Sequence, residues 1–88
     1  MAFQFTFTQR FKKHYKILSS QEKKQLKNKL DLLAINPKHP SLRTKRIQGV
    51  KELYECSVNM DIRIIWYYEN NNIIIIVDVG HHDILKQY

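Results

Sequence analysis

The sequence is short of several things, and each shortage excludes something. Cys56 is the only cysteine among 88 residues, so no intramolecular disulfide can form. Its place in a strand-like stretch predicts a reduced, half-buried thiol, and nothing around it resembles a nucleophile motif. Glycine and proline are scarce, two of each, and both prolines fall with Gly49 in the single segment 37–51. The chain therefore has no low-complexity tract, no internal repeat and no stretch long enough to be a linker. No apolar run approaches the roughly 20 residues that span a bilayer, and MAFQFTFTQRF lacks the basic region, apolar region and cleavage site of a signal peptide. The expected location is the cytoplasm, away from membranes.

What is present describes one folded unit. Hydrophobic residues make up 43% and charged residues 26%, which suits a soluble globular protein. A chain of this length buries roughly 60–65% of its unfolded surface, enough for a single domain over residues 1–88. Acidic residues are scarce in one half only. Residues 9–51 carry thirteen Lys or Arg against Glu22 and Asp31, a local charge of +11, whereas residues 52–88 carry Arg63 and Lys86 against six acids, a charge of −4. A lysine-rich surface can simply be a solvated helix face. A polarisation of this size points instead to a polyanion or an acidic protein as partner, because cations that neutralise phosphates release condensed counterions.

The pattern along the chain gives the elements. AFQFTF alternates, with Phe3, Phe5 and Phe7 on one face of a half-buried strand. Thr8 can cap a helix from Gln9, through which Phe11, Tyr15 and Leu18 recur at helical spacing. Ser19 and Glu22 fit a capping box for a second helix from about Ser20, with Leu26, Leu30 and Leu33 as its buried stripe and Asn36-Pro37 as its end. A loop follows and becomes a strand near Arg46 or Ile47. Leu53–Val58 and Ile62–Tyr68 read as strands around the turn Asn59-Met60-Asp61, and Glu69 to Asn72 turn the chain into Ile73–Val79. That last run barely alternates, as expected of a central strand buried on both faces. Gly80 is expected to release the chain into a tail in which Asp83–Tyr88 form a turn or short helix.

The fold class is then α+β. An N-terminal strand and a two-helix hairpin precede a three-stranded antiparallel meander, all in one mixed, mainly antiparallel, curved sheet (β-α-α-β-β-β) with a short C-terminal tail. The helical hairpin covers one sheet face and leaves the other open for binding.

Several pieces of this pattern resemble the RelE/ParE superfamily of bacterial and archaeal type II toxins over nearly the whole chain. They are the Phe strand with Phe11-Lys12, the leucine-striped helix ending in Asn36-Pro37, Ser41-Leu42-Arg43 through Ile47 and Gly49, Leu53-Tyr54 through Asp61-Ile62-Arg63-Ile64-Ile65-Trp66, and Val79-Gly80-His81-His82-Asp83. The resemblance implies a ribosome-dependent endoribonuclease that cuts messenger RNA, as in the RelE branch, or a gyrase inhibitor, as in the ParE branch. It also implies a cognate antitoxin that binds the toxin as a hetero-oligomer, and no cofactor. A non-catalytic RNA-binding module is the remaining reading.

Cleavage of RNA without a metal needs activation of a ribose 2′-hydroxyl, charge stabilisation at the phosphate and protonation of the leaving oxygen, all within reach of basic side chains and imidazole. Arg63 matches the family's arginine after the turn and is the only Lys or Arg between Glu52 and Leu85; its planar, permanently charged fork suits a scissile phosphate. The bland alternative for Arg63 is a surface pair with Glu55 or Asp61. His82 stands where the family places a basic residue after Val-Gly, and imidazole titrates near pH 6.5 in model peptides, fit for general acid or base work. His81 is adjacent, so the two cannot point the same way on an extended chain; otherwise they are polar loop residues. Tyr88 matches a C-terminal tyrosine that stacks on or protonates substrate in some RelE-branch members. The catalytic candidates are thus Arg63, His82, His81 and Tyr88, with Arg43, Lys45, Arg46 and Lys51 as substrate-binding cations for messenger RNA on the ribosome.

Two departures stand against this. Where the RelE branch has lysines on the preceding strand, this chain has Glu55 and Ser57, and a glutamate repels phosphate. Either the histidines carry the chemistry, or the loop cations Arg43, Lys45, Arg46 and Lys51 substitute, or RNA is not cut. Asp83 is expected to cap the terminal helix in preference to orienting a histidine. A metal site from His81, His82, Asp83 and His14 or His39 is not expected, because adjacent histidines chelate poorly and no His-x-x-x-His spacing occurs.

Overall fold

The structure is a computed structural model and describes residues 2–47, 49 and 52–88. Thr8 makes the first corner. It lies extended between β1 (Gln4–Phe7) and α1 (Gln9–Tyr15), and its hydroxyl accepts from Phe11 N at 3.1 Å while donating to Val77 O at 2.5 Å. One side chain thus satisfies a free helix N–H and fastens the helix start to the sheet. α2 (Ser20–Ile35) begins with the expected capping box: Ser19 Oγ accepts from Glu22 N at 3.1 Å, and Glu22 Oε1 accepts from Ser19 N at 2.8 Å. Ser19→Ala is expected to cost about 1 kcal/mol, read as a lower urea midpoint at unchanged slope. Asn36, before Pro37, leaves the helical region at φ −148° and ends α2.

A short 3-10 turn, Pro40–Leu42, seats Leu42 in the core before the edge strand β2 (Lys45–Arg46). Then come β3 (Tyr54–Ser57), β4 (Ile62–Tyr68) and β5 (Ile73–His81). Both hairpin turns are held by asparagine. Asn59 Oδ1 accepts from the backbone N–H of Asp61 and Ile62, each at 2.8 Å, and Asn70 Oδ1 accepts from Asn72 and Ile73 at 2.7 and 3.0 Å. The sheet order is β1-β5-β4-β3-β2, with β1 parallel to β5 and every other pair antiparallel. The fold is the expected mixed, mainly antiparallel α+β arrangement, and β5 is internal as its unbroken apolar run required.

The core lies between sheet and helices. Phe11, Leu18, Leu26, Leu33 and Leu42 meet Cys56, Val58, Ile62, Ile64, Trp66, Ile74, Ile76 and Val79. Trp66 is fully buried, stacked on Tyr54 with centroids 4.8 Å apart and set edge-on to Tyr68 at 5.1 Å. Cys56 is buried completely rather than by half, and the burial pushes its thiol up to about 12, a rise that the Trp66 indole N–H offsets only in part. Among the described residues that N–H has no acceptor in hydrogen-bonding geometry. Tyr15 and Phe7, placed on buried faces by spacing, are 38% and 36% exposed, and α1 stops at Tyr15, short of Leu18, which is buried.

β5 departs from regular pairing at one place. Trp66 pairs with Ile76 but Ile65 pairs with Asp78, leaving Val77 as an extra residue in a bulge. Strict alternation from Ile74 and Ile76 would have driven residue 78 into the apolar core. The bulge shifts the count, so Val79 takes the core position and Asp78 turns to the opposite face. Gly80 does not release the chain, since β5 continues through His81 opposite Ile62. The tail then forms a 3-10 helix, His82–Gln87, that folds back: a Cβ on Gly80 would lie 2.6 Å from Ile84 Cγ2. The sheet face expected to be open is therefore partly covered at this end. No described helix is long and apolar enough to cross a membrane.

Candidate functional site

The register brings Arg63 and the tail to one end of the sheet. Arg63 pairs with Gly80, so both face the side away from the helices, and His82 follows two residues later. Arg63 is restrained there. Its Nη1 donates to the carbonyls of Asn59, Met60 and Ile62 at 2.8, 3.2 and 3.1 Å, and its Nε lies 3.9 Å from Glu55 Oε1. The pairing with Glu55 is a loose version of the plain ion pair weighed from sequence. One arm is committed to the turn, and Nη2 makes no hydrogen bond among the described residues. His81 ends β5 and His82 opens the tail helix; both are exposed, and neither imidazole has a hydrogen-bond partner among the described residues. Contrary to expectation, Asp83 does not cap the tail helix. The residue before the helix is His81, which makes no side-chain cap, because β5 runs farther than the sequence suggested.

The substrate cations are gathered elsewhere. Arg43, Lys45 and Arg46 are exposed and border one cleft of about 380 Å³ with Lys38, His39 and Tyr54. Arg43 adopts a left-handed conformation, φ 51°, which turns the chain from the 3-10 turn into β2. The cleft lies at the β2 edge, with β3 and β4 between it and β5. The cations are thus brought to one another and not to the histidines. Lys51 lies outside the described residues.

Tyr88 is placed by a group that sequence reasoning passed over. Asp78, fully buried, accepts from Val79 N at 2.8 Å and meets His14 Nδ1 at 2.5 Å, both through Oδ1, while Oδ2 accepts from the Tyr88 hydroxyl at 2.9 Å. Arg10 Nη1 in turn donates to the Tyr88 hydroxyl at 3.3 Å. Burial above all, with Asp78 adding to it and Arg10 opposing, pushes the Tyr88 phenol above its ordinary value, so it stays protonated as the donor to Asp78. A buried carboxylate needs such donors, since an unpaired charge in the interior is costly. The sequence signal was Asp78 itself, a lone acid after five apolar residues. His14 was weighed only as a metal ligand. Among the described residues no three of His, Cys, Asp or Glu stand together as a metal site would require.

The fold is shared with known toxins. The chain superposes on YafQ of the Escherichia coli DinJ–YafQ complex with a TM-score of 0.78, at 19% identity over 97% of this chain and 98% of that one. Escherichia coli RelE, in a free-state mutant, matches at 0.76 with 20% identity over 99% and 93% of the two chains. A YoeB/ParE toxin from Agrobacterium tumefaciens reaches 0.78 at 7% identity over 90% and 98%. Likeness at such identities concerns the fold. No curated protein sequence matches. The family model for YafQ, a bacterial toxin of type II toxin-antitoxin systems, matches residues 3–87. A match over that span decides the family: the chain belongs to the YafQ toxins of type II toxin-antitoxin systems.

Proposed function

We propose that this toxin is a metal-independent endoribonuclease that cuts messenger RNA on the ribosome, in the cytoplasm. The observation that carries the reading is the pairing of Arg63 with Gly80, which sets a guanidinium and the two free imidazoles at the same sheet end. His82 is the general acid or base, because it is exposed, has no hydrogen-bond partner among the described residues and is carried by a tail seated on β5. His81, the last residue of β5 and paired with Ile62, is the second candidate for proton transfer at this strand end. Arg63 neutralises the charge that gathers on the phosphate as the 2′-oxygen attacks and the 5′-oxygen leaves. Arg43, Lys45 and Arg46 hold backbone phosphates at the far edge, and Lys51 is a further candidate for the same role by its place in the basic stretch of sequence.

The partner is a cognate antitoxin. A groove of about 470 Å³ between α1 and α2 is lined by Phe7, Phe11, Tyr15 and Leu30 and rimmed by Lys23, Lys24 and Lys27, which suits an acidic amphipathic chain that folds on binding. Mapping of messenger RNA ends in cells expressing the chain tests the nuclease reading. New 5′ ends within translated regions, produced equally in lysate treated with a chelator, are expected. Intact transcripts with arrested growth and DNA-damage signalling would transfer the assignment to gyrase inhibition.

A further inference from the structure

The tail that carries His82 has no buried residue of its own. Among the described residues its side chains make one kind of polar attachment to the rest of the protein, through the Tyr88 hydroxyl to Asp78 and Arg10. The other fastening is apolar, Ile84 against the bare Cα of Gly80. Asp78 can receive the phenol only because the bulge at Val77 turns it out of the core, and only because His14, arriving from α1, holds its other oxygen. Three elements distant in sequence, α1, β5 and the tail, therefore meet at one desolvated carboxylate.

The geometry points to a latch: Asp78, braced by His14, grips the Tyr88 hydroxyl and thereby fixes where the tail presents His82. Asp78 and His14 are positioning residues, and the Tyr88 hydroxyl serves the latch in place of the substrate. The effect on catalysis rests on the nuclease reading above, whereas the latch itself does not. A short 3-10 helix is a weak structure alone, with poor hydrogen-bond geometry. With its far end loose it samples many arrangements, and a misplacement of about 1 Å at an acid–base group lowers a rate by about 100-fold. Attachment to a buried, charged acceptor is the stronger kind of hydrogen bond, made stronger by exclusion of water.

The test uses the full chain and reads the tail directly. In Tyr88→Phe, which removes one oxygen and leaves the ring, backbone order parameters for residues 82–88 measured by 15N relaxation are expected to fall below about 0.6, the flexible range, with those of β4 and β5 unchanged. His14→Ala is expected to loosen the same residues, and it keeps the idea testable should Asp78→Asn fail to fold. In the cleavage assay both variants should lose about 10- to 100-fold in kcat with KM nearly constant, the mark of a misplaced reacting group. A tail as rigid in Tyr88→Phe and His14→Ala as in the wild type overturns the latch. A loosened tail in a protein whose wild type cleaves nothing supports the latch and removes only the nuclease reading.

Discussion

Replacing Arg63 by alanine is expected to slow transcript cleavage by about 100- to 1,000-fold while the protein stays folded, the usual effect of deleting one preorganised donor to a developing charge. The side chain is set up for this. Three backbone carbonyls hold Nη1, so little reorientation remains to be made when a phosphate arrives. Two of those carbonyls belong to the turn at Asn59 and Met60 and the third to Ile62 at the start of β4; the bond to Met60 is exposed and is replaced by water at small cost, the other two are partly buried. Glu55 is different. Its side chain is only 14% exposed and loses its countercharge in the variant, so Arg63→Ala should be compared with Arg63→Ala/Glu55→Gln. Equal activities in the two variants, both far below wild type, assign the loss to the missing cation. Arg63→Lys should fall between, because an ammonium keeps the charge and gives up the planar fork. Rates from primer-extension time courses, with thermal melting as the folding control, decide the matter; Arg63→Ala within about threefold of wild type would remove this residue from the chemistry and leave the histidines to account for it.

The second large effect concerns the fold itself. Trp66→Ala is expected to destabilise the protein by about 3–5 kcal/mol, since a fully buried ring stacked on Tyr54 and edge-on to Tyr68 leaves a cavity that β4 cannot collapse. Small domains have a total stability of about 5–15 kcal/mol, so the variant should be partly unfolded at 37 °C. Trp66→Phe is the informative companion. It keeps an aromatic ring and deletes an indole N–H that has no acceptor among the described residues, and its cost should be about 1–2 kcal/mol, that of the smaller cavity. Urea unfolding followed by circular dichroism separates the two. A large loss in Trp66→Phe would mean that the N–H is satisfied in solution, with the Cys56 sulfur the first partner to examine.

Most of the fold could be read in advance because local chemistry and global packing agree in this chain. Thr8, Ser19 and Asn36-Pro37 mark helix ends by capping, and Asn59 and Asn70 mark turns by bonding their own backbone. The nearness of Arg63 to the tail is set by the β4–β5 register, which pairs Arg63 with Gly80. The His14–Asp78–Tyr88 cluster could not be read the same way. It depends on a single extra residue at Val77, and a uniform run of Ile and Val carries no mark of where the pleat breaks. β5 outruns the expected end at Val79 because Gly80 and His81 continue the ladder with Arg63 and Ile62, and hence Asp83 caps nothing. The distance of Arg43, Lys45 and Arg46 from the histidines is likewise a matter of strand order, which β-propensity does not encode.

The two margins of the sheet are unlike each other. β2 has only two residues, both cationic, and the backbone before it is bent by a left-handed arginine. Strand-by-strand growth of one molecule onto another is blocked at that border by brevity and like-charge repulsion. β1 closes the other border with four residues, two of them phenylalanine, and among the described residues its outer edge has no neighbouring strand. Any intermolecular ladder, whether with an extended peptide or in aggregation on overexpression, starts at β1, and a lysine in place of Gln4 or Thr6 is the natural way to suppress it.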